Sequence, residues 1–187
     1  MHFKSVAIAL WLFCVAALTV IGVMAIAPPA AMAAAPASSE QTGAPAEAAT
    51  ELFAMIDSRE AYTTDQILPL YDALEPVDID FMIGTWKGGK FDGGNSPDPI
   101  NWYGKRFTST EDVDPLLARK PDGTVYSWDG WGMARLREVK FRGKVSATLI
   151  YNQRPIMDYF RKLDDQTVIG FGEPKGFPPF FFYLVRE

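Results

Sequence analysis

Two pairs of residues have the types and spacing to hold an anionic head group in an apolar setting. Tyr159 and Arg161 share a face if residues 156–163 form a strand, and Tyr103 lies close to Arg106. A guanidinium offers parallel charge-assisted hydrogen bonds to a carboxylate or phosphate, and a phenol adds another donor. The competing reading turns each arginine outward, to pair with a neighbouring acid. For general acid–base work the sequence offers the close carboxylate pairs Asp78/Asp80, Asp112/Asp114 and Asp164/Asp165. Turn and helix-start duty accounts for each of them, so no catalytic residue is assigned. The stretch from Asp92 to Asp98 lacks EF-hand spacing, with glycine at its third position, and no metal ligand is assigned either.

What the chain lacks narrows the chemistry further. Its one cysteine is Cys14 and its one histidine is His2. Both fall in what reads as a leader, so the folded domain is expected to work without thiol or imidazole. That removes disulfides, thiolate nucleophiles, Ser-His-Asp triads and His-ligated zinc or haem, and no cofactor is expected. A net charge of −5 argues against general nucleic-acid binding. Residues 34–114 are acid-rich and 115–187 base-rich, which fits acidic helices beside a mildly basic sheet or a basic face toward an anionic partner.

These residues must be positioned by the following elements. Residues 1–33 have a basic start at Lys4, an uncharged apolar run over 6–27, Pro28-Pro29 and an Ala31-Met32-Ala33 cleavage pattern. That order is a signal peptide, removed to leave a periplasmic or secreted domain; retained, residues 6–27 would be an inner-membrane anchor and the only membrane contact. Trp11-Leu12-Phe13 before Cys14 do not suit lipidation. Residues 34–46 read as a disordered linker. Residues 47–76 read as one or two short helices: Leu52, Phe53 and Ile56 form one stripe, and Ile67, Leu68, Tyr71 and Leu74 a second, with Thr63 and Gln66 as a capping box. Pro69 should bend the second helix and Pro76 end it.

After Pro76 short β-branched and aromatic runs alternate with Gly, Pro, Asp and Asn. Strands are expected near 84–91, 101–108, 124–128, 133–142, 144–151, 156–163, 166–172 and 179–186. Residues 101–108 also read as a helical turn, and 155–163 as an amphipathic helix. The fold class expected for residues 77–187 is mainly β, an antiparallel barrel or sandwich of about eight strands.

Phe81-Met82-Ile83-Gly84-Thr85-Trp86-Lys87-Gly88-Gly89 carries G-x-W-x-G at a strand start, and the chain resembles the GXWXG family, bacterial proteins with a domain of unknown function after the motif. The likeness continues through Asn101 to Phe107, then Met133 to Arg137, Ser146-Ala147, Ile150-Tyr151, Pro155-Ile156, Asp158, Phe160-Arg161-Lys162, Thr167 and Gly170. The motif is also similar to the opening of lipocalins and nitrobindin-type barrels. That resemblance implies a lipocalin-like barrel closed at one end by Trp86, with Arg186 from the last strand laid across the indole. Gly84 and Gly88 would permit the tight turn and close approach.

An eight-stranded barrel just holds one small ligand. Val145, Ala147, Leu149 and Tyr151 share a face suited to the interior, as do Met157, Tyr159, Arg161 and Leu163 on the next run; period two aligns Phe180, Phe182, Leu184 and Arg186. Trp128 and Trp131 suit a mouth or a packed turn, the turn being preferred. The expected function is binding of a small hydrophobic or amphipathic molecule, with Trp86, Tyr151, Tyr159 and Phe182 as lining or floor and Tyr103, Arg106 or Arg161 at an anionic head. The alternatives are a carboxylate- or tyrosine-dependent enzyme on a small envelope substrate, and a non-catalytic scaffold.

Overall fold

The computed structural model describes residues 43–187. Residues 1–33, read as a leader, and most of the linker lie outside the described residues. Gly43 to Ala46, assigned to that linker on composition, are instead the first turn of helix α1, Gly43–Ser58. Helix α2, Thr64–Ala73, starts at the capping box: Thr63 Oγ1 accepts the Gln66 N–H at 3.4 Å and Gln66 Oε1 accepts the Thr63 N–H at 2.9 Å. Pro69 is accommodated within α2. A short strand β1, Glu75–Pro76, and a single helical turn α3, Ile79–Met82, lead to the sheet; Asp78 caps α3 by accepting the Phe81 N–H at 2.7 Å. Among the described residues no helix is long and apolar enough to cross a membrane.

The sheet then runs as an antiparallel meander: β2 Gly84–Lys90, β3 Trp102–Phe107, β4 Val113–Arg119, β5 Val125–Ser127, β6 Ala134–Phe141, β7 Lys144–Tyr151, β8 Ile156–Lys162, β9 Thr167–Pro174 and β10 Phe180–Arg186. Pairing β2 with β10 closes the ring β2-β3-β4-β6-β7-β8-β9-β10, an eight-stranded barrel, while β1 adds to β8 and β5 hangs on β4. Residues 101–108 and 155–163, each read in two ways, are therefore strands. The sequence reading had missed β4 and counted β5 in its place. Val113-Asp-Pro-Leu-Leu-Ala-Arg shows no alternation, and proline has no ladder N–H, which confines it to edges and irregular places. Here β4 meets β6 only at Val113↔Ala134, so Pro115 sits where the barrel wall parts.

Two apolar layers result. Trp86, Phe107, Leu136, Ala147, Leu149, Phe160, Phe182 and Leu184 fill the barrel. Outside it, Leu52, Met55, Ile67 and Tyr71 of the helices pack on Tyr159, Leu163, Ile169, Phe171 and Phe181. The helices thus cover the outer faces of β8 to β10. β9 in particular is buried on both faces, as the unbroken burial of Thr167 through Gly172 shows. One end of the barrel is shut by Trp86, fully buried, whose Nε1–H donates to the Met82 carbonyl at 2.8 Å. Arg186, paired with Trp86 across β10 and β2, lies with its Cζ 4.2 Å from the indole centroid. Its guanidinium donates to the carbonyls of Ile83, at 2.9 Å, and Phe81. Gly84 enters β2 with φ +133°, beside that guanidinium.

Candidate functional site

The other end of the barrel is a cavity of about 720 Å3. Its upper wall comes from the β2–β3 loop, including Pro97, Pro99 and Ile100, and its far side from Leu116, Trp128 and Trp131 where β4 and β6 separate. Trp102, Tyr151 and Phe182 line it below, and Lys105 and Asp158 lie deepest in polarity and burial. The aromatic groups contact one another edge to face: Trp102 on Phe182 at 5.9 Å between centroids, Trp131 on Tyr151 at 6.2 Å and on Trp128 at 6.2 Å. Such contacts hold the walls at low entropic cost and leave ring faces for an apolar guest. Trp128 and Trp131 therefore border the cavity, and the Trp128 ring also packs on the turn at Gly130, so both readings of these residues hold.

Lys105 reaches the cavity by regular pairing with β2, opposite the inward Trp86, and it is Trp102 that needs an irregular β3 to join it. Plain alternation would group Trp102 with Arg106. Register shifts against β4 between Trp102 and Gly104, and between Gly104 and Arg106, instead bring Trp102 inward above Lys105 and Phe107, which alternate regularly. Two glycines make this possible. A Cβ on Gly104 would stand 1.9 Å from the Trp86 carbonyl oxygen, and one on Gly88 would stand 2.3 Å from the Trp102 ring. Asp158 comes from β8, across the barrel from β3, on the same face as Phe160.

Lys105 Nζ and Asp158 Oδ2 are 2.8 Å apart, with side chains 3% and 1% exposed. Nζ also donates to the Pro115 carbonyl at 2.9 Å and to Tyr151 Oη at 3.4 Å. Three rings surround the ammonium, Phe182 at 5.0 Å, Tyr151 at 5.7 Å and Trp102 at 5.8 Å from it. Neither Asp158 oxygen accepts an aligned hydrogen bond, the approach of Lys105 being close but oblique. Burial pushes the Asp158 carboxyl above its ordinary range, and Lys105 offsets this only in part; burial, reinforced by the Asp158 charge, pushes the Tyr151 phenol well up.

The direction for Asp158 has a consequence for stability. A carboxyl that holds its proton more tightly when folded contributes most below its unfolded pKa, near pH 4, and that contribution is lost as pH rises through the folded value. Measured against a Lys105→Met/Asp158→Leu double variant, the wild type should therefore lose relative stability as pH rises above about 4. A gap that stays constant, or moves the other way, in denaturant unfolding would refute the assignment.

The residues proposed from sequence divide into three groups. Tyr151 and Phe182 line the cavity. Trp86 seals the opposite end and does not border it. Tyr103 and Arg106 face outward: Tyr103 donates to Glu187 and stacks under Arg119 at 4.6 Å, and Arg106 is bound to Asp114 at 2.6 Å. Tyr159 and Arg161 lie on the outer side of β8 beneath α2, where Arg161 donates to the carbonyls of Phe160 and Phe141 and stands 5.1 Å over the Tyr71 ring. The inner face of β8 is thus Asp158 and Phe160, the reverse of the expected face. Sequence reasoning passed over Lys105 and Asp158, although both stood inside the quoted family segments. The available signal was a lone acid between apolar Ile156 and Phe160 on a run expected to be buried.

Comparisons with known proteins place these observations. The family described as GXWXG protein matches residues 69–123, and a domain of unknown function, DUF4334, matches residues 132–186. A crystal structure of a protein from Thermomonospora curvata is similar at 46% identity and a TM-score of 0.70, over 75% of this chain and 99% of that one. No curated protein matches the chain.

Proposed function

The chain belongs to the GXWXG family, and on that premise we propose that it encloses one small, largely apolar molecule in the open end of its barrel. Family membership brings a domain of unknown function, so the argument rests on the site. The observation that carries it is a cavity of about 720 Å3, walled by Trp102, Trp128, Trp131 and Phe182, with a few buried polar groups converging on its floor. That combination is what ligand pockets of this size have in common. A scaffold with no guest has no need of such a space. Residues 1–33 extend the proposal to an exported protein, periplasmic or secreted, or anchored by residues 6–27.

A second reading draws on the same floor. Lys105, Asp158 and Tyr151 are titratable, buried and mutually close, which is also how acid–base sites are built. Consumption of a bound compound, rather than its recovery unchanged, would favour that reading.

The test is saturable binding of N-phenyl-1-naphthylamine, a neutral apolar fluorophore, by the full chain. One equivalent should bind, with energy transfer from the cavity tryptophans, and should stabilise the fold by about 2.7 kcal/mol at a hundredfold excess over Kd. Leu116→Trp, which fills the cavity from β4, should weaken binding at least tenfold without loss of folding. Absence of saturable binding, or binding indifferent to Leu116→Trp, would end the proposal.

A further inference from the structure

The polar groups at the cavity floor are not equally satisfied, and the imbalance bears on what the guest carries. This deepens the binding reading above and rests on it. An ammonium has three N–H donors. Those of Lys105 are committed to the Pro115 carbonyl at 2.9 Å, Asp158 Oδ2 at 2.8 Å and Tyr151 Oη at 3.4 Å. A carboxylate has about four acceptor positions. Asp158 is 1% exposed; Oδ2 has only the oblique Lys105 ammonium at 2.8 Å, and Oδ1 has no partner at all. Buried oxygens of this kind ordinarily find partners. The unmet demand in the cavity is therefore for donors.

An anionic head does not meet that demand. It would approach a carboxylate, and the other cations stand elsewhere. Arg106 is turned out to Asp114, Arg161 lies behind β8, and Lys90 at the mouth is 3.1 Å from Asp98. A cationic head fits no better, because Lys105 already occupies the place between the rings of Phe182, Tyr151 and Trp102. The Tyr151 hydroxyl, which accepts from Lys105, still has its own proton to donate.

We propose that the guest is a hydrophobic alcohol or phenol whose neutral hydroxyl donates to Asp158 and accepts from Tyr151, with its hydrocarbon body against Trp102, Trp131 and Phe182. Such a group supplies the missing donor, takes the remaining tyrosine proton and adds no charge to the floor. Burial of the Tyr151 phenol keeps that proton in place through the neutral range.

The experiment is calorimetric titration of the full chain, at pH 7.5, with four compounds of one chain length: 1-decanol, its methyl ether, decanoate and decylammonium. Decanol should bind at least tenfold more tightly than each of the others, the ether losing only the donor. In Lys105→Met/Asp158→Leu, decanol and its ether should bind equally. The series on unmodified protein decides the matter if that variant does not fold. An ether that binds as well as decanol, or a preference for decanoate or decylammonium, would overturn the inference. If none of the four binds while N-phenyl-1-naphthylamine does, the head-group assignment fails and the binding reading stands; if the fluorophore also fails, the binding reading itself falls.

Discussion

Replacing Lys105 by methionine, or Asp158 by leucine, is expected to cost about 3–5 kcal/mol of folding stability, because either change leaves a single buried charge uncompensated. The two changes made together should recover nearly all of that loss. An apolar pair of similar volume carries no desolvation penalty, and such replacements are neutral or stabilising by about 1–4 kcal/mol. The non-additivity, measured by urea unfolding of both single variants and the double, should be large and favourable. A double variant that loses the sum of the two single costs would show that the pair is retained for stability alone. The expected outcome instead marks the pair as a cost the fold carries for what it does in the cavity. Strength comes from elsewhere: Phe160 and Leu149, the inward neighbours of Asp158 along and across the strands, fill the barrel without polar atoms.

Trp86→Ala should be the most damaging single change at the closed end, at about 3–5 kcal/mol, the range for truncating a large buried aromatic side chain. The indole does three things there. It fills the floor between Leu184 and α3, its Nε1–H satisfies the Met82 carbonyl, and its face receives Arg186. Trp86→Phe keeps most of the apolar filling but leaves that carbonyl without its partner, and should cost roughly 1–3 kcal/mol. Arg186→Met keeps a stem over the ring but abandons the carbonyls of Ile83 and Phe81, so it should fall in the same roughly 1–3 kcal/mol range. Thermal unfolding of the three variants should therefore rank Trp86→Ala well below the other two. Affinity for an apolar guest at the far end should be unchanged in whichever variants stay folded. A Trp86→Ala protein as stable as wild type would contradict the packing described.

Several elements were legible in the residues. The capping box at Thr63 and Gln66 opens α2 because its signal is local, two reciprocal hydrogen bonds within one turn. The β-branched and aromatic runs after Pro76 become strands for the same reason, their preference and turn chemistry being written within ten residues. The face of β7 was also readable over Ala147, Leu149 and Tyr151, whereas Val145, placed on the same interior face, is exposed at the end of the strand. β8 was not readable in this way. Met157, Tyr159, Arg161 and Leu163 are as apolar a set as Ile156 and Phe160, because helices cover the outer surface of that strand. Hydrophobicity then labels both faces as buried and cannot say which one is inside.

The resemblance to lipocalins implies that Arg186 meets Trp86; composition and local pattern establish a mainly β chain with helices in front and no cysteine or histidine among residues 43–187. The latter are properties of composition, local propensity and period two. Where the chemistry lies depends on how the strands come together in space. The closing of β2 on β10 brings strands far apart in the chain around one interior, pairing with β2 turns Lys105 into it beside Trp86, and the helices outside β8 claim Arg161 and leave Asp158 within. Facing across a barrel is a relation between residues 105 and 158 that no local pattern encodes, because the side chain's direction depends on the register of every strand between them.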